Sequence, residues 1–306
     1  MTPAPHVPVL REETLGLLNA GPGRRVIDGT FGFGGHAAGL LETGADVLGI
    51  DLDAVAQKAC REMAGRHPRL ICHHGSFRDL DGALRAAGWD GADGLLLDLG
   101  VSSWQLDDPA KGFSYRADGP LDLRFDQTRG ETAAELLARL DEVAIADLVW
   151  RWGEERGSRH IARELVRRRL EAPLLTTTQV REAVQASLPR GVKAEPVLSR
   201  VFQALRIAVN DELGALAEVL ASLERVLRPG GRLVVISYHS LEDRLVKRFI
   251  DRERRDCVCP PETPVCVCRH KAWLRPLTRK AVIASAEEQY DNARSRSARL
   301  RAAEII

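Results

Sequence analysis

Val26-Ile-Asp-Gly-Thr-Phe-Gly-Phe-Gly-Gly-His36 is the stretch on which the reading of this chain turns. Arg24-Arg-Val-Ile-Asp28 is a short apolar run that ends in an acid. Gly29, Gly32, Gly34 and Gly35 then crowd a turn, and His36-Ala-Ala-Gly-Leu-Leu-Glu42 resumes with helical character. Glycine at this density permits positive φ and lets backbone approach a ligand closely. A strand, a glycine-rich turn and a helix N-terminus together make the nucleotide-binding corner of a doubly wound α/β sheet. An ordinary tight connection between strand and helix would read the same way, so the glycines alone do not decide between the two.

Asp46-Val-Leu-Gly-Ile-Asp51 is a second apolar run ending in an acid. In such folds a carboxylate at this position bonds ribose hydroxyls. The spacing suits NAD and S-adenosylmethionine equally. The turn, however, is not a clean Gly-x-Gly-x-x-Gly. An acid leading the glycines is similar to the first motif of class I methyltransferases, whose ligand has no pyrophosphate to cradle.

The chain has 306 residues, enough for one large domain or two smaller ones, and 44% hydrophobic with 28% charged residues is a soluble globular composition. No apolar run reaches membrane-spanning length. Met1 to Pro8 lacks the basic-then-apolar pattern of a secretory signal, so a cytoplasmic location is expected. A formal net charge of +1 does not mark the whole chain as a nucleic-acid binder. Three local segments are basic: Arg151, Arg156, Arg159, Arg163 and Arg167 to Arg169; Arg244, Lys247, Arg248, Arg252, Arg254 and Arg255; and Arg294 to Arg301. Each reads either as a solvated helix face paired with nearby acids or as a phosphate-binding surface for folded RNA.

His6 to Leu18 turns from extended chain to amphipathic helix, and Gly21-Pro-Gly23 leads into the first strand. A helix after Asp53 carries Val55, Ala59 and Met63 at helical spacing. Arg69 to Cys72 is the third strand. Phe77, in the turn after it, packs on an adenine or joins the core. Gly94-Leu-Leu-Leu-Asp-Leu-Gly100 is a buried central strand with Asp98 at its carboxyl end, where ligands bind in open α/β sheets. Burying a charge without partners is costly, which makes Asp98 a site residue.

The next sheet element is Gly231 to Ser237, reached through a helix bearing Leu213, Leu216, Val219, Leu220, Leu223, Val226 and Leu227 and a turn at Arg228-Pro-Gly-Gly231. A crossover needs only about a dozen residues plus a helix. The intervening excess is read as an inserted domain with helices over 133–140, 143–152, 158–170 and 176–188. Lys111 to Arg124, rich in Gly, charge and aromatics, has no helical or strand period, and its aromatics are expected to stack on an unpaired nucleotide. Ser237-Tyr-His-Ser-Leu-Glu-Asp-Arg244 offers His239 as a general base or as a structural hydrogen-bonding group. Cys257, Cys259, Cys266 and Cys268 form two Cys-x-Cys pairs. They read either as a four-thiolate Zn²⁺ site with tighter spacing than usual or as a reduced loop, a disulfide being unexpected in a reducing cytoplasm. Residues 274–284 and 297–306 are expected to supply the last strands.

Taken together, these peptides resemble the bacterial 16S ribosomal RNA methyltransferases that modify N4 of a decoding-centre cytosine. The resemblance runs through His6-Val-Pro-Val-Leu10, Asp28 to His36, Leu97 to Ser103, Gln105-Leu-Asp-Asp108, Gly112-Phe-Ser114 and Asp118-Gly-Pro-Leu-Asp122. It continues through Gly153-Glu-Glu-Arg156, Phe202 to Ile207 and His239 to Arg244, so it covers nearly the whole chain. It implies a class I methyltransferase (Rossmann-like) sheet from 1–108 and 208–306, with an inserted helical substrate-recognition domain over 109–207. It also implies S-adenosylmethionine as methyl donor, held by Gly34, Gly35, His36, Asp51, Phe77, Asp98 and Gln105. Gln105 is singled out by the resemblance alone. The implied partner is 16S rRNA or the small ribosomal subunit, met by a monomer or homodimer away from any membrane. No metal is assigned to the site and no catalytic residue is named; oxygen acceptors near Asp98 and Ser102-Ser103 are candidates for the amino protons. A nicotinamide oxidoreductase and a non-catalytic RNA-binding or ribosome-assembly factor remain as rivals, and neither accounts for the family peptides.

Overall fold

The computed structural model describes residues 8–263 and 265–306. His6, Val7 and Pro264 lie outside them. The chain runs α1 (Arg11–Leu18), β1 (Arg25–Asp28), α2 (Gly35–Glu42), β2 (Asp46–Asp51), α3 (Ala54–Ala64), β3 (Leu70–His74), α4 (Leu80–Ala87) and β4 (Ala92–Asp98). A helical stretch comes next: α5 (Ser103–Asp107), α6 (Ala133–Arg139), α7 (Glu142–Gly153), α8 (Ser158–Glu171), α9 (Thr177–Ala186) and α10 (Ala194–Asn210). The chain then resumes with α11 (Glu212–Val226), β5 (Leu227–Ser237), α12 (Ser240–Glu253), β6 (Leu274–Pro276), α13 (Ala286–Asp291) and β7 (Arg299–Ile305). It divides into two compact units, one made of the residues up to Gly100 with Leu213–Ile306, the other of Val101–Glu212.

The first unit is built on one seven-stranded sheet in the order β3-β2-β1-β4-β5-β7-β6. The strands from β3 to β5 are parallel, and β7 is antiparallel to both neighbours. Alternation along the strands feeds two separate cores. Ile27, Leu48, Leu95, Leu97 and Val235 point to one face, and Val26, Val47, Leu96, Val234 and Ile236 to the other. Strands buried on both faces need continuous apolar runs, which explains Leu95-Leu-Leu97. The expected turn at Arg228 to Gly231 lies inside β5 as a bulge: Ala92 faces Leu227, and Gly94 faces Arg232. Gly230 takes φ +76 there, a conformation that favours glycine. Of the expected 274–284 strand only β6 is regular, with Val282 making a single bridge to Leu300. Cys60 of α3 and Cys72 of β3 form a disulfide, a pair that the sequence reading did not connect.

The second unit has its own core, including Leu121, Leu137, Val149, Leu165, Val180, Val201 and Leu205. Thr132 and Thr176 start α6 and α9 as reciprocal capping boxes with Glu135 and Gln179. α7 and α10 approach closely at Gly153, where a Cβ would lie 2.7 Å from the Arg200 carbonyl oxygen. Beside that contact the buried Glu155 accepts from Arg200 Nε at 2.8 Å. The Lys111–Arg124 peptide is a correction to the sequence reading. Phe113 stacks on Phe125 at 5.3 Å, Tyr115 meets the edge of Phe202 at 5.6 Å, and Leu121 and Leu123 are fully buried. Its lack of periodicity reflects irregular backbone over a core, not exposed aromatics awaiting a nucleotide. A Cβ on Gly112 (φ +70) would lie 2.2 Å from the Pro120 carbonyl oxygen, so the peptide folds tightly back on itself.

Leu205→Ala should cost about 2–5 kcal/mol in denaturant unfolding, because a fully buried leucine leaves a cavity. Leu170→Ala, at 81% exposure on α8, should change stability by less than about 0.5 kcal/mol. Equal effects would contradict the packing assigned to this unit.

Candidate active site

Strand order reverses between β1 and β4, the switch point at which open α/β sheets leave a crevice beyond their carboxyl ends. The glycine turn starts there. Gly29 N donates to the Leu96 carbonyl at 2.9 Å, and Phe31 N to that of Ile50 at 3.0 Å, so the turn is tied to the neighbouring strands. A Cβ on Gly29 would lie 2.7 Å from Leu97 Cδ2 and 3.3 Å from Phe77 Cβ. Gly32 and Gly34 take φ +54 and +77, the second serving as N-cap of α2 without any side-chain cap. Gly35 and His36 are the first two residues of that helix.

Five side chains converge beyond β1 and β4. Asp98 N donates to Thr30 Oγ1 at 2.7 Å, and Thr30 N donates to Asp28 Oδ1 at 3.2 Å. Tyr238, just past β5, donates its hydroxyl to Asp98 Oδ1 at 2.7 Å. His36 Nε2 lies 3.5 Å from Asp98 Oδ2, and its Nδ1 is buried without a hydrogen-bond partner among the described residues. Asp98 keeps a quarter of its side chain exposed (25%) while Tyr238 holds its Oδ1. At the end of β2, Asp51 is half-buried; its Oδ2 accepts from Gly32 N and its Oδ1 from Asp53 N, each at 2.8 Å. Phe77, in the turn after β3, is half-buried against the core and beside Gly29.

Burial dominates the electrostatics. It pushes the Asp28 carboxyl up to about 7, against the opposing pull of His36 and the Thr30 amide. Burial would lower His36, but the adjoining Asp98 carboxylate, with Asp28 behind it, raises it. Desolvation and the Asp98 charge push the Tyr238 phenol well above its ordinary range, which keeps it a donor to Asp98. The sequence puts Tyr238 at the carboxyl end of the late strand, but its partner Asp98 is remote in sequence and could not be read there.

Gln105 belongs to the second unit, where it is buried and its Oε1 accepts from Ser102 N at 3.0 Å in the capping box of α5. His239 is the N-cap of α12: its Nδ1 accepts from Glu242 N at 3.4 Å and its Nε2 lies 3.1 Å from Glu242 Oε1. That is the structural reading of the two considered. The first basic segment is largely internally paired. Arg167 and Arg168 bind Glu164, and Arg169 donates to the Leu137 and Leu140 carbonyls. Arg156 and Arg159 remain exposed, as do Lys247, Arg248 and Arg255 of the second segment.

A sheet of this order with one antiparallel strand, a glycine turn after β1 and carboxylates closing β1, β2 and β4 defines a class I methyltransferase. A match to the MraW methylase family spans residues 3–306, and the chain belongs to that family. It is 51% identical to a ribosomal RNA small subunit methyltransferase H from Thermomicrobium roseum, over 98% of this chain and 94% of the relative. Proteins of the same name from Heliobacterium mobile (45%, covering 98% and 99%) and Deinococcus deserti (47%, covering 98% and 93%) are similar to it as well.

An acid whose pKa is higher folded than unfolded stabilises the fold at low pH and loses that contribution as pH rises. For Asp28 the loss runs from about pH 4, the usual carboxyl range, up through the raised value of about 7. His36, also raised, acts with the same sign at its own titration. Asp28→Asn keeps the acceptor for Thr30 and removes one titration. Denaturant unfolding between pH 5 and pH 8 should therefore show a shallower decline for the variant than for the parent. Parallel curves would contradict the assigned burial of this charge.

Proposed function

We propose that this chain transfers a methyl group from S-adenosylmethionine to the exocyclic N4 of a cytosine in the decoding region of 16S rRNA, acting in the cytoplasm as a monomer or homodimer on the small ribosomal subunit. The observation that carries this reading is the carboxylate cluster at the switch point, in a chain of a methylase family whose relatives bear the name of small-subunit rRNA methyltransferases. Asp51 and Asp98 place carboxylates around a glycine turn, with the buried Asp28 keeping its proton up to about pH 7 and His36 as the adjoining basic group. Such a site suits a cationic sulfonium and opposes the pyrophosphate of a dinucleotide, which disfavours the oxidoreductase reading. Among the described residues no helix is long and apolar enough to cross a membrane.

In this assignment Asp51 receives the ribose hydroxyls, Phe77 packs against the adenine, and the Gly34-Gly35 backbone with His36 borders the amino-acid end. Asp98 faces the same ligand from β4, and Gln105 is carried over from the resemblance alone. The bound donor supplies an electrophilic methyl group. The cytosine amino nitrogen is a poor nucleophile because its lone pair is delocalised into the ring. The protein must therefore align it with the methyl carbon, a contribution of up to about 7–11 kcal/mol, and accept its hydrogen bonds as positive charge develops. A base reached in this way has to be unstacked, which suits an unpaired RNA nucleotide.

Labelled S-adenosylmethionine and small subunits lacking the modification provide the test, with nucleoside mass analysis of the product. Label on N4-methylcytidine is the expected result. Label on another nucleoside would overturn the target, and no transfer by a chain that binds the donor would overturn the substrate assignment.

A further inference from the structure

Between α12 and β6 the first unit carries a loop with no apolar core of its own among the described residues. Val265 and Val267 are 73% and 75% exposed, and the cysteines beside them are half-buried or exposed. The loop is anchored at its base, where Trp273 Nε1 donates to Glu253 Oε2 at 2.8 Å and His270 Nε2 lies 3.3 Å from the same oxygen. Among the described residues 256–272, no buried hydrophobic side chain and no strand holds the rest of it. Yet the sulfurs of Cys257, Cys259, Cys266 and Cys268 all lie within 4.8 Å of one another.

We propose that these four cysteines form a tetrahedral zinc site that staples the loop. The first argument is distance. Four thiolates about 2.3 Å from one ion stand about 3.8 Å apart along the edges of the tetrahedron. Cys266 Sγ and Cys268 Sγ are 3.6 Å apart, and Cys268 Sγ and Cys257 Sγ 3.9 Å. These separations are too long for disulfides. A cluster of several irons would spread its four sulfurs wider than one ion does.

The second argument is the hydrogen bonding to sulfur. Val258, between the first two cysteines, donates its N–H to Cys268 of the second pair at 3.4 Å. Val267, between the last two, donates its N–H to Cys259 of the first pair at 3.5 Å. Each Cys-x-Cys turn thus directs a backbone donor at a sulfur of the other, and the two turns face each other across the four sulfurs. Backbone N–H groups aimed at sulfur favour the thiolate, the form that binds metal. Soft thiolates in a tetrahedral set select zinc among the common divalent ions. Binding converts four thiols to thiolates and releases their protons to solvent, and the resulting negative charge is flanked in sequence by Arg254, Arg255, Arg269 and Lys271.

The site is distant in sequence from the methyl-donor turn and contributes no group to that chemistry. Its expected effect is local: the metal orders the chain between Arg254 and Trp273. Full-length protein purified under reducing conditions without chelator should hold about one zinc per chain by elemental analysis. Its four loop thiols should resist alkylation until a chelator is added, and cleavage by trypsin at Arg254, Arg255 and Arg269 should accelerate on chelation. Cys266→Ser with Cys268→Ser should lose the zinc while keeping the thermal transition of the remaining fold. Adding Co²⁺ to stripped parent protein, which needs no variant, should give the intense visible absorption of tetrahedral cobalt thiolate. Protein that holds no zinc, takes up no cobalt and alkylates freely at all four cysteines would overturn the proposal. So would iron in place of zinc, or two disulfides within the loop.

Discussion

Everything in the first unit depends on ending β1 and β4 in carboxylates that lie next to each other in a closely packed sheet. Asp28 is almost wholly removed from water (1% exposed), and a lone charge there would be prohibitively costly. The fold meets this constraint in two ways. It lets Asp28 keep its proton up to about pH 7, and it places His36 on the first turn of the following helix. Asp98 is treated differently: its amide donates to Thr30, its Oδ1 accepts from Tyr238 and its Oδ2 lies beside His36, while a quarter of the side chain stays exposed. Two acids a strand apart thus take different roles, one neutralised by burial and the other held by hydrogen bonds while partly exposed.

The sheet register keeps these ends aligned. Val26, Ile27 and Asp28 pair with Gly94, Leu95 and Leu96, and β2 is paired along the other side of β1. A slip of one residue would turn each apolar side chain to the wrong face and move each terminal acid out of line. The second unit solves its folding problem independently, with a core drawn from five helices and the irregular Phe113–Phe125 stretch. That independence is why a long insertion after β4 does not disturb the strand order on either side of it.

The acid-terminated strands were legible because an apolar run ending in Asp is a local pattern, and the glycine turn between them is local too. The helices over 133–188 were legible as helical stretches between breaks, and Thr132 and Thr176 mark two of their starts as capping boxes. α10 is as legible as these, since Val197, Leu198, Val201, Phe202 and Leu205 carry the helical spacing plainly, although no helix is assigned there from sequence above. Tyr238 was noticed for its neighbours and not for Asp98, because that hydrogen bond joins residues 140 apart in sequence. Phe113 and Tyr115 were given to a ligand because aperiodic sequence reads as exposed loop, whereas here it crosses a core. The pairing of Cys60 with Cys72 likewise depends on α3 lying over β3, which no local pattern reports. The Arg168 pairing with Glu164, by contrast, was readable from its spacing of four residues.

The central claim is that the fixed Asp98 carboxylate is part of the methyl-donor site. Calorimetric titration of S-adenosylmethionine into the parent and into Asp98→Ala tests it directly, with a thermal transition recorded for both proteins. If Asp98 holds the donor, the Kd weakens at least about tenfold, or about 1.4 kcal/mol, in a variant that still unfolds cooperatively. Unchanged affinity in a folded variant would contradict it.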